Sequence, residues 1–142
     1  MRSQSLRILL IDDNRHGLVA RRAVLEQLGH KVTTAASGQD GLERFQAESF
    51  DLVVTDYRMP GVTGQQVIRK IRLEKPKTPI VLLSGYVESL GLDEKTTGAD
   101  VVLSKGAGEV QELVRAIHRL SKRVPKKPVA AVKAKAKTAK AG

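Results

Sequence analysis

The sequence predicts an α/β fold with a doubly wound parallel sheet of five strands, because short apolar runs alternate with amphipathic segments along the chain. Such runs, rich in Val, Ile and Leu, are typical of strands buried on both faces, as in a parallel sheet. The 142 residues suit one domain, and right-handed crossovers then place helices on both faces of the sheet. The five runs are three or four residues long and occupy residues 8–11, 32–35, 52–54, 80–83 and 101–103.

Two helices are predicted in the first half of the chain. The first covers about residues 14–28 and is followed by Gly29, which suits the left-handed backbone of a helix stop. Ser37 is expected to cap the second helix, which turns Leu42 and Phe45 inward. The inward residues predicted for the first helix are Leu18, Val24, Leu25 and Leu28.

Three more helices are predicted in the second half. The third begins after Gly64, and the fourth covers about residues 87–97. Gly91 lies inside the fourth, which should make that helix the weakest. The third helix is expected to bury Val67, Ile68 and Ile71. The fifth has apolar residues at helical spacing: Val110, Leu113, Val114, Ile117 and Leu120.

Charge is distributed unevenly along the chain. Of the net charge of +10, the last 18 residues contribute +6, because residues 125–142 contain six Lys and no acidic residue. We therefore expect one domain over residues 1–124 and a disordered Lys/Ala/Pro-rich tail over 125–142, which has little apolar surface to bury. If the tail binds nucleic acid, six phosphate contacts would give a log–log salt slope of roughly −5. The alternative is a solvated tail that aids solubility or docks on an acidic partner.

The composition excludes several classes of protein. The chain has no cysteine, which rules out disulfides, thiolate metal sites and cysteine nucleophiles. No apolar stretch approaches the roughly 20 residues that span a bilayer. The apolar N-terminal run ends at once in Asp12 and Asp13, so it is too short and wrongly flanked for a signal peptide. We expect a cytoplasmic protein without membrane contact.

Polar residues follow four of the five apolar runs. Asp12 and Asp13 follow the first, Asp56 the third, Ser84 the fourth and Lys105 the fifth. Ligands of open α/β sheets bind at the carboxyl ends of the strands. The pattern therefore predicts three carboxylates, one hydroxyl and one ammonium at one edge of the sheet.

These residue types suit phosphoryl transfer. Clustered carboxylates repel each other and need a cation, and oxygen ligands alone favour a hard ion such as Mg²⁺. The metal, Lys105 and the Ser84 hydroxyl could each hold one phosphoryl oxygen, while Asp56 acts as nucleophile. A single strand-end Asp is usually a turn or cap residue. The coincidence at four strand ends favours the site.

The same segments resemble the receiver domain of two-component response regulators. The resemblance covers about residues 5–122 and rests on the acidic pair, on Asp56 with Met59-Pro60 and Gly64 at receiver-like spacing, and on the segments 82–86 and 98–105. It implies a flavodoxin-like fold with strand order 2-1-3-4-5.

The resemblance also implies roles for individual residues. Mg²⁺ would be bound through Asp13, Asp56 and the backbone carbonyl of Arg58, with Asp12 assisting, partly through water. Asp56 would receive the phosphoryl group from a sensor histidine kinase or a histidine phosphotransfer protein.

The implied phosphoryl group would contact Ser84 and Lys105. Such a protein is not an enzyme with a separate substrate; it assists its own phosphorylation and dephosphorylation. Phosphorylation would switch binding of a downstream protein at the face formed by the fourth helix, fifth strand and fifth helix.

Two positions depart from the family pattern, and two others border the site. Val102 stands where the family commonly has Tyr or Phe as a rotameric switch, and Gly106 stands where it commonly has Pro. Signalling from Asp56 to the output face is therefore expected to be weaker, or to be carried by Ser84 and the flexible fourth helix alone. Arg58 and Tyr86 lie two residues after Asp56 and Ser84, and their bulk predicts slow self-dephosphorylation.

Two other functions compete with the receiver. A haloacid-dehalogenase-type phosphatase or transferase also uses a strand-end Asp nucleophile, but it wants a second acid where this chain has Arg58. A degenerate receiver would work as a constitutive adaptor, with the basic tail binding nucleic acid. A nucleotide-binding fold is excluded because no Gly-rich phosphate loop follows the first strand.

Overall fold

The structure, a computed structural model, describes residues 4–126. Its five strands form one sheet of order β2-β1-β3-β4-β5, and every neighbouring pair is parallel. This confirms the predicted fold class and strand order. The strands are β1 (Arg7–Ile11), β2 (Lys31–Ala35), β3 (Leu52–Asp56), β4 (Ile80–Ser84) and β5 (Val101–Ser104).

The described residues contain six helices, of which α1 to α5 connect strands and α6 follows the last strand, and they cover both faces of the sheet. The helices α1 and α6 pack on one face, while α2 and α3 pack on the other. Residues 127–142, nearly all of the predicted basic tail, lie outside the described part. The helices are α1 (Arg15–Gln27), α2 (Gly38–Ala47), α3 (Gly64–Glu74), α4 (Val87–Leu90), α5 (Glu94–Thr97) and α6 (Glu109–Ser121).

The central strands are buried on both sides, which explains their unbroken apolar runs. Leu10 and Val54 face the layer of α1 and α6, whereas their neighbours Leu9 and Val53 face the layer of α2 and α3. All five residues of β3 and all five of β4 are buried. Within residues 4–126, no helix has the length and apolar content that a membrane crossing requires.

Polar side chains cap the N-termini of α1, α2, α3 and α5. The Gly17 N–H donates to Asn14 Oδ1 at 3.1 Å at the start of α1. Ser37 caps α2 as predicted, accepting the Asp40 N–H at 3.0 Å. Thr63 caps α3 in a reciprocal pair with Gln66.

Three details of the predicted helices were wrong. Leu28 is 52% exposed and Val110 is 37% exposed, because the first lies beyond the last turn of α1 and the second in the first turn of α6. The predicted fourth helix is two one-turn helices, since Gly91 has φ +61° and ends α4. Asp93 then caps α5. Gly29, with φ +97°, follows α1 as predicted.

Strand register brings the polar residues level with one another. Ile11 pairs with Thr55, so Asp12 and Asp56 stand side by side at the ends of β1 and β3. Ser84 pairs with Ser104, and Lys105 follows directly.

Gly64 is required where α3 begins beneath the end of β3. A Cβ there would overlap the carbonyl oxygen of Asp56 and lie 2.8 Å from the Tyr57 Cα. The Gly64 N–H also donates to the Tyr57 carbonyl at 2.8 Å, which draws the two backbones together.

Gly64→Ala is expected to lower the free energy of unfolding by about 1–3 kcal/mol, because the backbone must shift to admit the methyl group. Gly85→Ala is the matched control, since a Cβ at Gly85 meets no described atom within 4 Å. Urea unfolding measures both variants. Equal midpoints for the two would contradict the close approach.

Candidate functional site

Three carboxylates meet at the carboxyl edge of the sheet. One oxygen from each of Asp12, Asp13 and Asp56 lies within 4.8 Å of the others. Asp12 is 2% exposed and Asp56 is 8% exposed, whereas Asp13 faces solvent. The cluster therefore has two buried members and one open to an arriving ion.

Lys105 joins the two buried carboxylates. Its Nζ lies 2.9 Å from Asp12 Oδ2 and 3.2 Å from Asp56 Oδ2. The backbone N–H of Lys105 donates to the Ser84 carbonyl at 2.9 Å, which fixes the start of the side chain.

The fully buried Ser84 ends β4, the strand between β3 and β5. Its Oγ accepts the Tyr86 N–H at 3.0 Å. The structure thus places all five predicted side chains at the same edge of the sheet.

Arg58 shares a cavity with Asp13, the exposed member of the cluster. Asp13, Arg58 and Thr63 line this cavity of about 330 Å³, together with Met59 and Pro60. The loop after β3 therefore borders the same space as the open carboxylate.

The pKa values of the two buried carboxylates are shifted in opposite directions. Burial, reinforced by the charge of Asp12, raises the pKa of Asp56 to about 6 despite Lys105. Burial also acts to raise the pKa of Asp12, but the Asn14 N–H, Lys105 and Arg21 outweigh it, and that pKa lies below its ordinary value. Asp12 is thus ionised at neutral pH. The cost of burying two carboxylates together appears at Asp56, as a raised pKa.

A buried arginine completes the charge network, and the sequence reasoning missed it. Arg21 Nη1 lies 2.9 Å from Asp12 Oδ2, and its Nη2 lies 2.9 Å from Glu109 Oε2 on α6. The Arg21 side chain is 8% exposed. The signal was present, because Arg21 falls in helical phase with the inward-facing Leu18 and Leu25.

The rim of the site carries a cation–π contact. The Arg58 guanidinium lies over the Tyr86 ring, 4.4 Å from its centroid. Both residues are exposed. The stack joins the loop that follows Asp56, at the end of β3, to the loop that follows β4.

The two departures from the family pattern lie on β5 and just after it. Val102 is half-buried, and its N–H donates to Glu94 Oε2 at 2.9 Å. Gly106 has φ +145°, a conformation closed to proline, whose ring holds φ near −65°. The loop after Lys105 therefore follows a path that proline could not take.

The donor set fits a hard divalent cation. Its three clustered groups offer carboxylate oxygens, which Mg²⁺ prefers, and the two buried carboxylates exceed the single ammonium between them.

Comparison with known proteins agrees with this geometry. Residues 8–118 match the family model described as the response regulator receiver domain. The chain belongs to this family: it carries a receiver domain of two-component signalling, of the phospho-acceptor type.

Relatives in sequence and in structure are receivers or contain them. The chain is 34% identical to the virulence sensor protein BvgS of Bordetella pertussis over 92% of its own length and 11% of that protein's. It thus spans about a tenth of that relative. The response regulator TrrA of Thermotoga maritima, in complex with Mg²⁺ and BeF, superposes with a TM-score of 0.73 at 31% identity, covering 80% of this chain and 97% of TrrA.

A third relative also carries the metal. The receiver domain of a Pseudomonas aeruginosa sensor histidine kinase has a magnesium ion coordinated in its active site cleft. It superposes with a TM-score of 0.75 at 25% identity, covering 84% of this chain and 99% of that domain.

Asp56→Asn is expected to stabilise the metal-free protein at neutral pH by about 2–3 kcal/mol, the free energy of its raised pKa. The folded pKa of about 6 lies above the ordinary 3.8, so the folded state binds the proton more tightly than the unfolded chain. That contribution favours folding fully below about pH 4 and is lost as the pH rises through 6.

Urea unfolding in EDTA, at about pH 7.5 and pH 4.5, measures the difference in the free energy of unfolding between Asp56→Asn and the wild type. The gain from Asp56→Asn should shrink at the lower pH, while the half-exposed Asp40→Asn should show a smaller change. A gain that grows as the pH falls would contradict the burial of charge at Asp56.

Proposed function

We propose that this chain accepts a phosphoryl group on Asp56 in a Mg²⁺-dependent transfer from a sensor histidine kinase or a histidine phosphotransfer protein. The observation that carries the proposal is the buried Asp56 carboxylate beside Asp12, with Lys105 Nζ between them. In this proposal residues 1–124 form the receiver domain and residues 125–142 a basic tail.

Asp56 is the best placed of the three carboxylates to attack phosphorus. Asp12 Oδ2 already accepts hydrogen bonds from both Lys105 and Arg21. Asp13 lies at the exposed side, where it suits a metal ligand. Asp56 Oδ1 accepts the Tyr57 N–H at 2.8 Å, which orients the carboxylate and leaves Oδ2 facing Lys105.

The metal would be held by Asp13, Asp56 and the backbone carbonyl of Arg58, with Asp12 contributing through water. Bound there, Mg²⁺ supplies positive charge to one oxygen of the phosphoryl group. The cavity shared by Asp13 and Arg58 supports this assignment.

In the transfer, the Asp56 Oδ–P bond forms as the N–P bond of the phosphohistidine donor breaks. The N–P electron pair returns to the imidazole, which takes one proton from solvent and leaves neutral. Lys105 would neutralise a second phosphoryl oxygen, and the Ser84 hydroxyl would donate to a third. For Ser84 this requires its Oγ to donate outward while it still accepts from Tyr86.

The output would be a change in protein binding at the face of α4, β5 and α6. Its elements adjoin one another along the β5 edge of the sheet. Exposed apolar side chains on this face, Leu90 and Val110, suit a protein partner. Val102 carries no ring, so Ser84 and the short α4 would relay the change.

Phosphate transfer is tested by incubating the full chain with Mg²⁺ and acetyl phosphate, followed by phosphate-affinity gel electrophoresis. We expect a shifted band that disappears in Asp56→Asn and in EDTA. Ser84→Ala and Lys105→Met should slow its appearance by about 10²-fold or more, since each removes one oxygen contact of the transition state. If no Asp56-dependent shift forms, with a cognate kinase also failing, the chain is a constitutive adaptor.

The Arg58–Tyr86 stack should prolong the phosphoryl lifetime by obstructing the hydrolytic water. Arg58→Ala and Tyr86→Ala are each expected to speed the loss of phosphate about two- to fivefold, the worth of an exposed cation–π contact. The double variant should be little faster than either single one. The exposed Arg69→Ala serves as control. A wild-type half-life of only seconds would contradict the slow dephosphorylation.

A further inference from the structure

The buried Arg21 closes a ring of contacts around Lys105. From Lys105 Nζ the ring passes to Asp12 Oδ2, on to Arg21 Nη1, and from Arg21 Nε and Nη2 to Glu109 Oε2 at 3.0 and 2.9 Å. Glu109 Oε1 accepts the Gly106 N–H at 3.3 Å. Gly106 is bonded covalently to Lys105, so the ring is complete.

The segment that this ring restrains has little rigidity of its own. Residues 105–108 read Lys-Gly-Ala-Gly, and both glycines have positive φ. Glycine leaves the backbone more conformational freedom than any other residue. Backbone hydrogen bonds hold the Lys105 N–H and the Gly106 carbonyl, but beyond them the ammonium depends on side-chain contacts. The contacts through Asp12 and through Glu109 both lead to Arg21.

The fold makes room for the arginine. A Cβ at Gly17, one turn earlier in α1, would lie 2.7 Å from Arg21 Nη1. Burial of a guanidinium is unfavourable unless acids pair with it, and here Asp12 and Glu109 do so from two different elements.

Arg21 also limits what Asp12 can bind. An ionised carboxylate has about four acceptor positions. Asp12 uses three of them, for the Asn14 N–H, Lys105 and Arg21. Its negative charge is balanced by two cations before any metal arrives.

We propose that Arg21 is a positioning residue, which holds Asp12 and Lys105 in place and lowers the Mg²⁺ affinity of the pocket by neutralising Asp12. The inference rests on the proposed function for its rate readout, but its Mg²⁺ readout does not depend on phosphate transfer. The charge of Arg21 affects Mg²⁺ affinity, whereas its hydrogen bonds affect the position of Lys105. Different substitutions of Arg21 separate the two effects.

The test compares Arg21→Met and Arg21→Lys with Arg22→Met, a matched control at an exposed arginine paired only with Glu26 among the described contacts. Mg²⁺ affinity is measured by calorimetry on the full chain, without phosphodonor. Arg21→Met should bind Mg²⁺ on the order of fivefold more tightly, because one positive charge near the metal is lost. Arg21→Lys should bind as the wild type does, and so should Arg22→Met.

The rate of phosphorylation by acetyl phosphate at saturating Mg²⁺ reports whether Asp12 and Lys105 are held in position. Arg21→Met should be about tenfold slower, because Lys105 is no longer held. Arg21→Lys should recover only part of the rate, since an ammonium cannot make the forked contact with Glu109. Glu109→Gln, which leaves the core intact, should slow the wild type severalfold but have no further effect in the Arg21→Met background.

Two outcomes would overturn the inference. One is an Arg21→Met variant that matches Arg22→Met in both Mg²⁺ affinity and rate. The other is a Glu109→Gln effect of equal size with and without Arg21→Met. If Arg21→Met fails to fold, Arg21→Lys and Glu109→Gln still decide the question through the rate. A wild type that takes no phosphate while Arg21→Met gains Mg²⁺ affinity would refute the proposed function alone.

Discussion

The Lys105 ammonium between Asp12 and Asp56 is the interaction on which the rest of the site depends. Two adjacent buried carboxylates lose hydration and repel each other, and one ammonium, 2.9 Å and 3.2 Å away, offsets only part of that cost. The remainder is visible in the raised pKa of Asp56. Such a pocket suits a divalent cation, and in the proposed function the bound cation lets it receive a further anionic group.

The fold holds the two carboxylates and Lys105 in this arrangement. Parallel register sets the ends of β1 and β3 side by side, and Gly64 lets α3 begin against the Asp56 carbonyl. Arg21 and Glu109 then connect the pocket to α1 and α6. A change at Asp56 that draws Lys105 away from Asp12 therefore alters contacts on two helices, in addition to those near Ser84 and α4.

The sequence predicted the sheet and the acidic cluster for the same reason. Strands buried on both faces have unbroken apolar runs, so their ends, and the polar residues that follow, can be located without knowledge of packing. The burial of Arg21 depends on Glu109, 88 residues away, and local charge made an exposed position the natural expectation. The break at Gly91 and the exposure of Leu28 and Val110 depend on where each helix begins and ends. Hydrophobic periodicity does not encode these end points.

In the proposed function Asp56, rather than another carboxylate of the cluster, forms the acyl phosphate. The most direct measurement is to treat the phosphorylated protein with borohydride, which reduces an acyl phosphate of aspartate to homoserine, and to locate the modified residue by peptide mass spectrometry. Homoserine at position 56 alone, absent when Mg²⁺ is withheld, is the result that the buried Asp56–Lys105 arrangement predicts. Homoserine at position 12 or 13, or phosphate incorporation without any homoserine, would contradict it.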